Sequence, residues 1–210
     1  MADWATIASF ATAGGTLVLA MATFSAVRSS NRSARIAEES LLTGMRPLLI
    51  PSLSEDPVHK VLWGDRHTAQ LTGGRAIAEE AEGIIYLAIA LRNLGARIAL
   101  LHGWHPMPDQ ALMDLPRVEV EDFRRLTIDL YIPAGGTGYW DAAVRDPHDP
   151  VRPRFLRTLR EREPFTMDIL YGDQQGGQRT ISRYTVLPAG DDGWYAQVGR
   201  HWNLDRPDPR

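Results

Sequence analysis

Apolar positions follow one period in the first part of this chain and another after Arg46. From Arg28 to Thr43 neither Pro nor Gly occurs, and alanine, leucine and methionine recur near helical spacing. Gly44 and Pro47 then end the predicted helix, Gly as a cap residue and Pro as a residue that cannot continue it. After Arg46 apolar and polar residues alternate with a period of two, which is typical of strands with one buried face.

The alternating segments predict about seven to nine short strands, which indicates an antiparallel sandwich of immunoglobulin-like type. Gly83–Leu91 is a nearly continuous apolar run and predicts a central strand covered on both faces. A helical insertion is predicted at Pro150–Glu163. The other predicted strands are Pro47–Leu53, Lys60–Trp63, His67–Thr72, Ile98–Trp104, Leu126–Ile132, Phe165–Tyr171, Arg179–Leu187 and Gly193–Trp202.

The run from Trp4 to Val27 contains no charged residue and has the length of a membrane span. A helix needs about 20 apolar residues to cross a hydrocarbon core about 30 Å thick. Gly14, Gly15 and several hydroxyl residues interrupt the run, and membrane helices tolerate both kinds of residue. We therefore predict a single-pass anchor over residues 4–27. The predicted domains are residues 1–45 as transmembrane helix and helical stalk, 46–204 as the β-sandwich, and 205–210 as an extended tail.

Charge asymmetry predicts the orientation of this anchor. Only Asp3 precedes the run, whereas arginines follow it directly from Arg28, and positively charged flanks stay in the cytoplasm. The predicted location is the cell membrane, with the N-terminus outside and the domain cytoplasmic. Two alternatives stay open, a buried helix of a soluble protein and a signal peptide cleaved near Ala20-Met21-Ala22. The acidic start of the chain disfavours the signal peptide, which begins with positive charge.

Small residues share one face of the predicted span, and a second helix can approach such a face closely. This pattern predicts homo-oligomerisation through the helix. The alternative is that a weakly hydrophobic span simply tolerates small residues. The residues of this face are Ala8, Ala11, Thr12 and Gly15.

The composition of the chain favours some cellular compartments and classes of partner over others. The 210 residues include no cysteine and carry a formal net charge of −3. The absence of cysteine agrees with a reducing compartment, where disulfides do not form. An acidic chain without a recognised reader motif disfavours nucleic acid as a partner.

Several stretches carry a resemblance to a known group of proteins. They are WATIASFATAGGTLVLAMATF, ALRNLGARIALLHGWH, DLYIPAGGTGYW, LYGDQQGGQRTISRYTV and RHWNLDRPDPR. They resemble an uncharacterised group of small membrane-anchored proteins from high-GC Gram-positive bacteria, over nearly the whole chain. The order of a strand ending at Asn93 and Gly95, a turn at Pro133–Gly135 and a hairpin at Tyr171–Gly176 is also similar to membrane-tethered immunoglobulin-like domains. The resemblance implies fold and location, and no catalytic residue.

Three groups of residues are candidates for chemistry. His102 and His105 have the types and spacing of metal ligands, but in an extended strand residues three apart point to opposite faces. Acidic residues after Tyr139-Trp140 are interpreted as a solvated loop, because prolines break the spacing of a calcium site. Ser182 lacks a nucleophile elbow and an ordered His and Asp, so a hydrolase triad is not supported. The acid-rich loop consists of Asp141, Asp146, His148 and Asp149.

Arginines recur in the predicted helical insertion, beside an apolar face formed by Phe155, Leu156 and Leu159. Near an inner membrane leaflet such a patch would bind anionic headgroups or a partner. The alternative is a surface helix whose arginines pair with Glu161, Glu163 and other acids. The predicted patch is Arg152, Arg154, Arg157 and Arg160.

These observations favour a membrane-tethered cytoplasmic module that binds an unidentified protein partner and carries no evident catalysis or cofactor. The alternative is a membrane-anchored enzyme or metal-binding domain with a site near His102 and His105. A deep polar cleft holding both histidines and an acid would favour that alternative.

Overall fold

A computed structural model describes residues 3–108, 115–190 and 193–206, without the side chains of residues 4–12, 38–39 and 41–43. The chain divides into two compact units, Met1–Gly44 and Met45–Arg210. The first unit is helix α1, Trp4–Gly44, which is continuous over 41 residues. Two hydroxyl side chains bond back to its own turns, Thr23 to the Leu19 carbonyl at 2.8 Å and Ser25 to the Ala22 carbonyl at 2.9 Å.

Among the residues described, no helix combines the length and apolarity that a membrane crossing requires, so the span predicted from Trp4 to Val27 is unsupported. The side chains of Trp4, Ala8, Ala11 and Thr12 lie outside the described residues. Gly14 and Gly15 are exposed, and a Cβ added at either would meet nothing within 4 Å.

The described part of the second unit consists of antiparallel β-strands, one α-helix and one 3₁₀ turn, which confirms the predicted sandwich-like β architecture at this level of detail. The strands are β1 Leu49–Pro51, β2 His59–Leu62, β3 Thr68–Leu71, β4 Arg75–Ala81, β5 Ile84–Asn93, β6 Ala99–Met107, β7 Arg124–Ile132, β8 Thr137–Val144, β9 Phe165–Asp173, β10 Thr180–Ala189 and β11 Gly193–Asn203. The strand order of the large sheet is β1-β5-β4-β11-β10-β9-β6-β7, with β8 also pairing with β5, and β2 and β3 form a separate hairpin. Strand β5 has β8 along one edge, and β4 followed by β1 along the other.

The sheet bends between β4 and β11, which pair over only two residues of each strand. Its two halves therefore pack face to face over one apolar core. Aromatic rings fill the middle of this core. Trp104 meets Trp140 edge to face at 5.5 Å, and Phe165 meets Phe155 in the same way at 5.4 Å. Such pairs stabilise a core beyond the area that they bury.

Strand β5 is buried on both faces, as its continuous apolar run predicts. Ile85, Leu87 and Ile89 point into the main core. Tyr86 and Ala88 point the other way, where the β2–β3 hairpin covers them with Val61, Trp63 and Leu71. The hairpin thus explains why this strand lacks alternation, since neither face meets water.

The outer face of the other half-sheet carries a buried ion pair. Arg183 on β10 and Asp168 on β9 are both 0% exposed, and their side chains meet at 2.7 and 2.8 Å. Arg183 also donates to the carbonyls of Leu115 and Pro116, at 2.6 and 3.1 Å. The segment that follows these carbonyls, including the 3₁₀ turn Val120–Asp122, packs over the same face with Phe123.

Helix α2, Arg152–Glu161, occupies the predicted helical insertion. Asp149 accepts a hydrogen bond from the Val151 N–H at 3.0 Å, which holds the chain at the helix start. Arg162 adopts a left-handed conformation and ends the helix, with its N–H directed to the carbonyls of Leu159 and Thr158. Phe155 and Thr158 are buried beneath the helix.

Candidate functional site

A groove of about 300 Å³ lies between strands β7 and β8. Within the described residues β7 pairs only with β6, and β8 pairs only with β5, so each strand has an edge without a ladder partner. An unpaired edge presents backbone N–H and C=O groups that can bind another chain. We call this site the seam groove; it is lined by Leu62, Trp63, Gly64, Arg66, Trp104, Arg125, Leu126, Thr127, Ile128, Leu130, Asp141, Ala142, Ala143 and Arg145.

A large bulge in β7 forms one wall of the seam groove. Leu130 pairs with Leu101 of β6, and Arg125 pairs with Gly103, so that four residues of β7 lie opposite His102 alone. At the end of the bulge the two strands approach closely: a Cβ added to Gly103 would lie 2.7 Å from the Arg124 carbonyl oxygen. Bulges occur beside binding sites because they redirect side chains. Here Ile128 is 60% exposed at the groove.

Two tryptophans line the inner part of the groove. The Trp63 indole N–H donates to the Ala142 carbonyl of β8 at 3.1 Å, which fixes the β2–β3 hairpin against this strand. The Arg124 guanidinium lies 5.4 Å from the Trp104 ring centroid and forms two hydrogen bonds with Asp149, at 2.6 and 2.9 Å. These bonds hold the pKa of the Asp149 carboxyl below its usual range, against the effect of partial burial. The groove therefore has a rigid apolar floor.

The rim of the groove carries more positive than negative charge. Arg145, directly after β8, pairs with Asp65 at 3.1 Å, and Asp65 also accepts a hydrogen bond from the Tyr86 hydroxyl at 2.9 Å. The guanidinium groups of Arg66 and Arg125, by contrast, make no ion pair or hydrogen bond within the part of the chain that the structure describes. Two guanidinium groups are thus available to an anionic group in the groove.

Asp141 is the acidic member of the groove, and its carboxylate has no hydrogen-bond partner among the described residues. Partial burial raises the pKa of its carboxyl to about 6, and the charge of Arg145 acts in the opposite direction. The prediction of a solvated loop is wrong for this residue. Asp141 lies within β8, between the inward-facing Trp140 and Ala142, and so it points to the groove side of the strand.

We expect Asp141→Asn to stabilise the protein at neutral and alkaline pH. Because the carboxyl pKa is raised from 3.8 to about 6 on folding, ionisation lowers stability as pH rises through that window, and the loss persists above it. After discounting for solvent screening, the variant should be more stable by about 1–2 kcal/mol near pH 8 and equal to the parent below about pH 4. Urea unfolding at both pH values measures this difference.

Asp129→Asn provides the control for this prediction, because Asp129 is an exposed carboxylate on the neighbouring strand. Its substitution should change stability by less than about 0.5 kcal/mol near pH 8. A parent protein as stable as Asp141→Asn near pH 8 would show that the carboxyl is well solvated in the groove.

His102 and His105 do not form a metal centre with other described residues, among which no group of three or more potential ligands lies together. The expectation of opposite faces is wrong, because the bulge at His102 shifts the alternation by one residue. Both side chains reach the side that carries Phe123: His102 lines a cavity of about 560 Å³ with Phe123, and the His105 ring lies 6.1 Å from the Phe123 ring. The His105 Nδ1–H donates to the Asp122 carbonyl at 3.1 Å.

The environment of His102 disfavours the charged imidazolium. Burial lowers the pKa of His102, and Asp129 and Arg179 act in opposite directions on it. The histidine therefore contributes a neutral ring to its cavity near pH 7.

The arginines of α2 do not form a uniform patch. Arg152 donates to the Gly83 carbonyl at 2.8 Å, and so it fastens the helix to the turn between β4 and β5. Arg154 and Arg157 are exposed and make further interactions. Arg160 is exposed and lies beside Glu79 and Glu80 in another surface depression.

Ser182 has a histidine partner that the sequence did not reveal. Its hydroxyl lies 2.6 Å from His201 Nδ1 and 2.9 Å from the Tyr171 hydroxyl, because Ser182 and His201 pair across β10 and β11. Ser182 is 0% exposed, so a substrate cannot reach its hydroxyl. The arrangement is a hydrogen-bond chain in the core, and the Leu49 N–H extends it by donating to Tyr171 at 3.1 Å.

Comparison of this chain with known proteins found no relative. No family model matches the chain, and no curated protein or solved structure matches it. The function proposed below therefore depends on the geometry of the seam groove, and the resemblance to membrane-anchored bacterial proteins stays a prediction.

Proposed function

We propose that this chain is an interaction module that binds a segment of a partner protein in the seam groove. The observation that carries the proposal is the pair of unpaired strand edges, β7 and β8, on either side of a groove with an apolar floor. Binding sites combine a concave apolar surface with a few polar groups that fix orientation. The side chains of Arg66, Arg125 and Asp141 are such groups, since none of them makes a hydrogen bond or ion pair within the described chain.

The raised pKa of Asp141 also supports the seam groove as a binding site. A carboxyl whose pKa is raised by burial lowers the stability of the folded protein at neutral pH. Residues that are unfavourable for stability, in a concave site, are candidates for function. The enzymatic and metal-binding alternative near His102 and His105 has no comparable support, because His105 is bonded to the Asp122 carbonyl.

We also propose that α1 tethers this module to the cell membrane, with the domain in the cytoplasm. The uncharged sequence from Trp4 to Val27 and the arginines after it support this location. The described part of α1 also exposes large apolar side chains, which water disfavours and which lipid or a second copy of the helix would cover. They are Leu17, Val18, Leu19, Met21, Phe24 and Val27. The immunoglobulin-like topology is part of this proposal.

Photo-crosslinking in the cells that make the protein tests the groove. With p-benzoylphenylalanine in place of Ile128, the full chain should form a covalent adduct with a specific protein. The same photoreactive residue in place of Leu94, an exposed apolar residue in the turn between β5 and β6, should not form that adduct. Identical adducts from both positions, or none from position 128, would contradict the proposal.

The photo-crosslinking experiment also tests whether α1 tethers the domain to the membrane. The adduct should remain in the membrane pellet after an alkaline carbonate wash, because a spanning helix resists such extraction. Recovery of the adduct in the supernatant would overturn the tether and leave the groove proposal intact.

A further inference from the structure

Three arginines follow the uncharged run of α1 and share one side of the helix. Arg28, Arg32 and Arg35 are four and three residues apart, and the helical repeat places their side chains within an arc of about 60°. All three are exposed, and together with Phe24 and Asn31 they border one open depression in the helix surface. We call these three residues the arginine stripe.

The arginine stripe carries a positive charge that no described acid offsets. Between Asp3 and Glu38 the sequence contains three arginines and no acidic residue, lysine or histidine. The guanidinium groups of the stripe make no ion pair or hydrogen bond within the part of the chain that the structure describes. Arginines of the β domain, by contrast, include several that are held by carboxylates, as Arg124 is by Asp149 at 2.6 Å. The stripe is therefore free to bind an anionic group.

The arginine stripe begins one helical turn after apolar side chains on the same side of α1. Met21 and Phe24 lie seven and four residues before Arg28, and both are largely exposed. Helical side chains lean toward the N-terminus, so the guanidinium groups reach back toward this apolar run. The headgroup layer of a membrane adds about 5–7 Å on each side of the hydrocarbon core. If the uncharged run lies in the core, the stripe therefore lies at the depth of the headgroups.

The charge of the stripe favours lipid over a second copy of the helix as its partner. Two copies tethered through the same helix would lie parallel in the membrane. Arg28, Asn31 and Arg35 are three and four residues apart, which is the spacing at which residues meet their own copies in a parallel helix pair. Arg28 and Arg35 would then each face an identical guanidinium group, and like charges across an interface are unfavourable.

The headgroup of an anionic phospholipid has the opposite charge and a suitable shape. A guanidinium group can donate two parallel hydrogen bonds to the oxygens of one phosphate. In zwitterionic lipids an ammonium group offsets the phosphate, whereas anionic lipids attract basic segments beside a membrane helix.

We propose that the arginine stripe binds the phosphate groups of anionic phospholipids at the membrane surface. This inference rests on the proposed tether and names the lipid class that α1 recognises.

Energy transfer from α1 to labelled lipids tests this inference. The chain has no cysteine, so Ser30→Cys gives one attachment point for a fluorescent donor, on the side of α1 opposite the stripe. The full chain is reconstituted in phosphatidylcholine vesicles with a trace of acyl-labelled acceptor, either phosphatidylglycerol or phosphatidylcholine. Phosphatidylglycerol should be enriched around the helix at least about threefold over phosphatidylcholine, and added salt should reduce this enrichment.

Removing the charge of the stripe should abolish the enrichment. The stripe variant combines Arg28→Gln, Arg32→Gln and Arg35→Gln, and glutamine keeps a helix propensity close to that of arginine. Equal transfer to both acceptors in the parent chain, or an unchanged enrichment in the stripe variant, would overturn the inference.

The matched control removes the same charge from exposed positions of α2, through Arg154→Gln, Arg157→Gln and Arg160→Gln. This α2 variant should retain the enrichment. A loss as large as that in the stripe variant would show that net charge, and not the arginine stripe, selects the lipid.

Flotation of the vesicles after an alkaline carbonate wash separates this inference from the proposed tether. The parent chain and both variants should float with phosphatidylcholine vesicles. A parent chain that floats but transfers energy equally to both acceptors would overturn lipid selection by the stripe and leave the tether intact. A parent chain that does not float would overturn both.

Discussion

Leu87→Asp and Ala88→Asp should each unfold the β domain. The two side chains point to opposite faces of β5 and are both 0% exposed, one in the main core and one beneath the β2–β3 hairpin. An unpaired buried carboxylate costs several kcal/mol, and a domain has only about 5–15 kcal/mol of stability. Thermal unfolding of the full chain, followed by circular dichroism of the β signal, measures the effect.

Arg179→Asp is the control for this prediction, because Arg179 is exposed at the margin of β10. It should leave the melt nearly unchanged. A folded Leu87→Asp protein would mean that β5 opens to water on its core side, and a folded Ala88→Asp protein would mean that the hairpin detaches easily.

Removing one partner of the buried Arg183–Asp168 ion pair should also lower the stability of the fold strongly. Asp168→Leu leaves the Arg183 guanidinium buried without its carboxylate, and we expect a loss of about 3–5 kcal/mol in the free energy of unfolding. Burial raises the pKa of Asp168, and the hydrogen bonds and charge of Arg183 act in the opposite direction. Urea denaturation measures the loss.

The double variant Asp168→Leu/Arg183→Met should recover most of this loss, because apolar side chains of similar volume can replace a buried pair. Asp205→Leu, which breaks the more exposed pair with Arg46, should cost only about 0–1 kcal/mol. A double variant as unstable as Asp168→Leu would show that the bonds from Arg183 to the Leu115 and Pro116 carbonyls carry the stabilisation.

The sequence predicts those strands whose burial has a simple pattern. Gly83–Leu91 indicates β5 because both faces are covered. The alternation from Phe165 to Tyr171 indicates β9, but the single buried face that it predicts is wrong, because the segment through Phe123 covers the other face as well. Strand β4 was missed because the consecutive exposed residues Glu79 and Glu80 resemble a flank of the following strand. Strand β8 was missed because Asp141 resembles a loop residue, although Trp140, Ala142 and Val144 alternate with it.

The seam groove could not be predicted, because its walls come from four distant parts of the chain. Unpaired strand edges and the register of a bulge are properties of pairing, and no local pattern in the sequence records them. The Arg183–Asp168 pair was missed for another reason. Charged residues are almost never fully buried unless paired, and the pairing partner is fifteen positions away.

The bulge in β7 also makes the shape of the seam groove independent of the strand pairing that supports it. Residues on either side of it pair with β6 in independently set registers, at Leu130 with Leu101 and at Arg125 with Gly103. Lengthening or shortening the chain between these anchor points would not shift the alternation of the flanking strand segments. The width and specificity of the groove can therefore diverge between related sequences by insertion or deletion here, while the sheet that supports the groove remains the same.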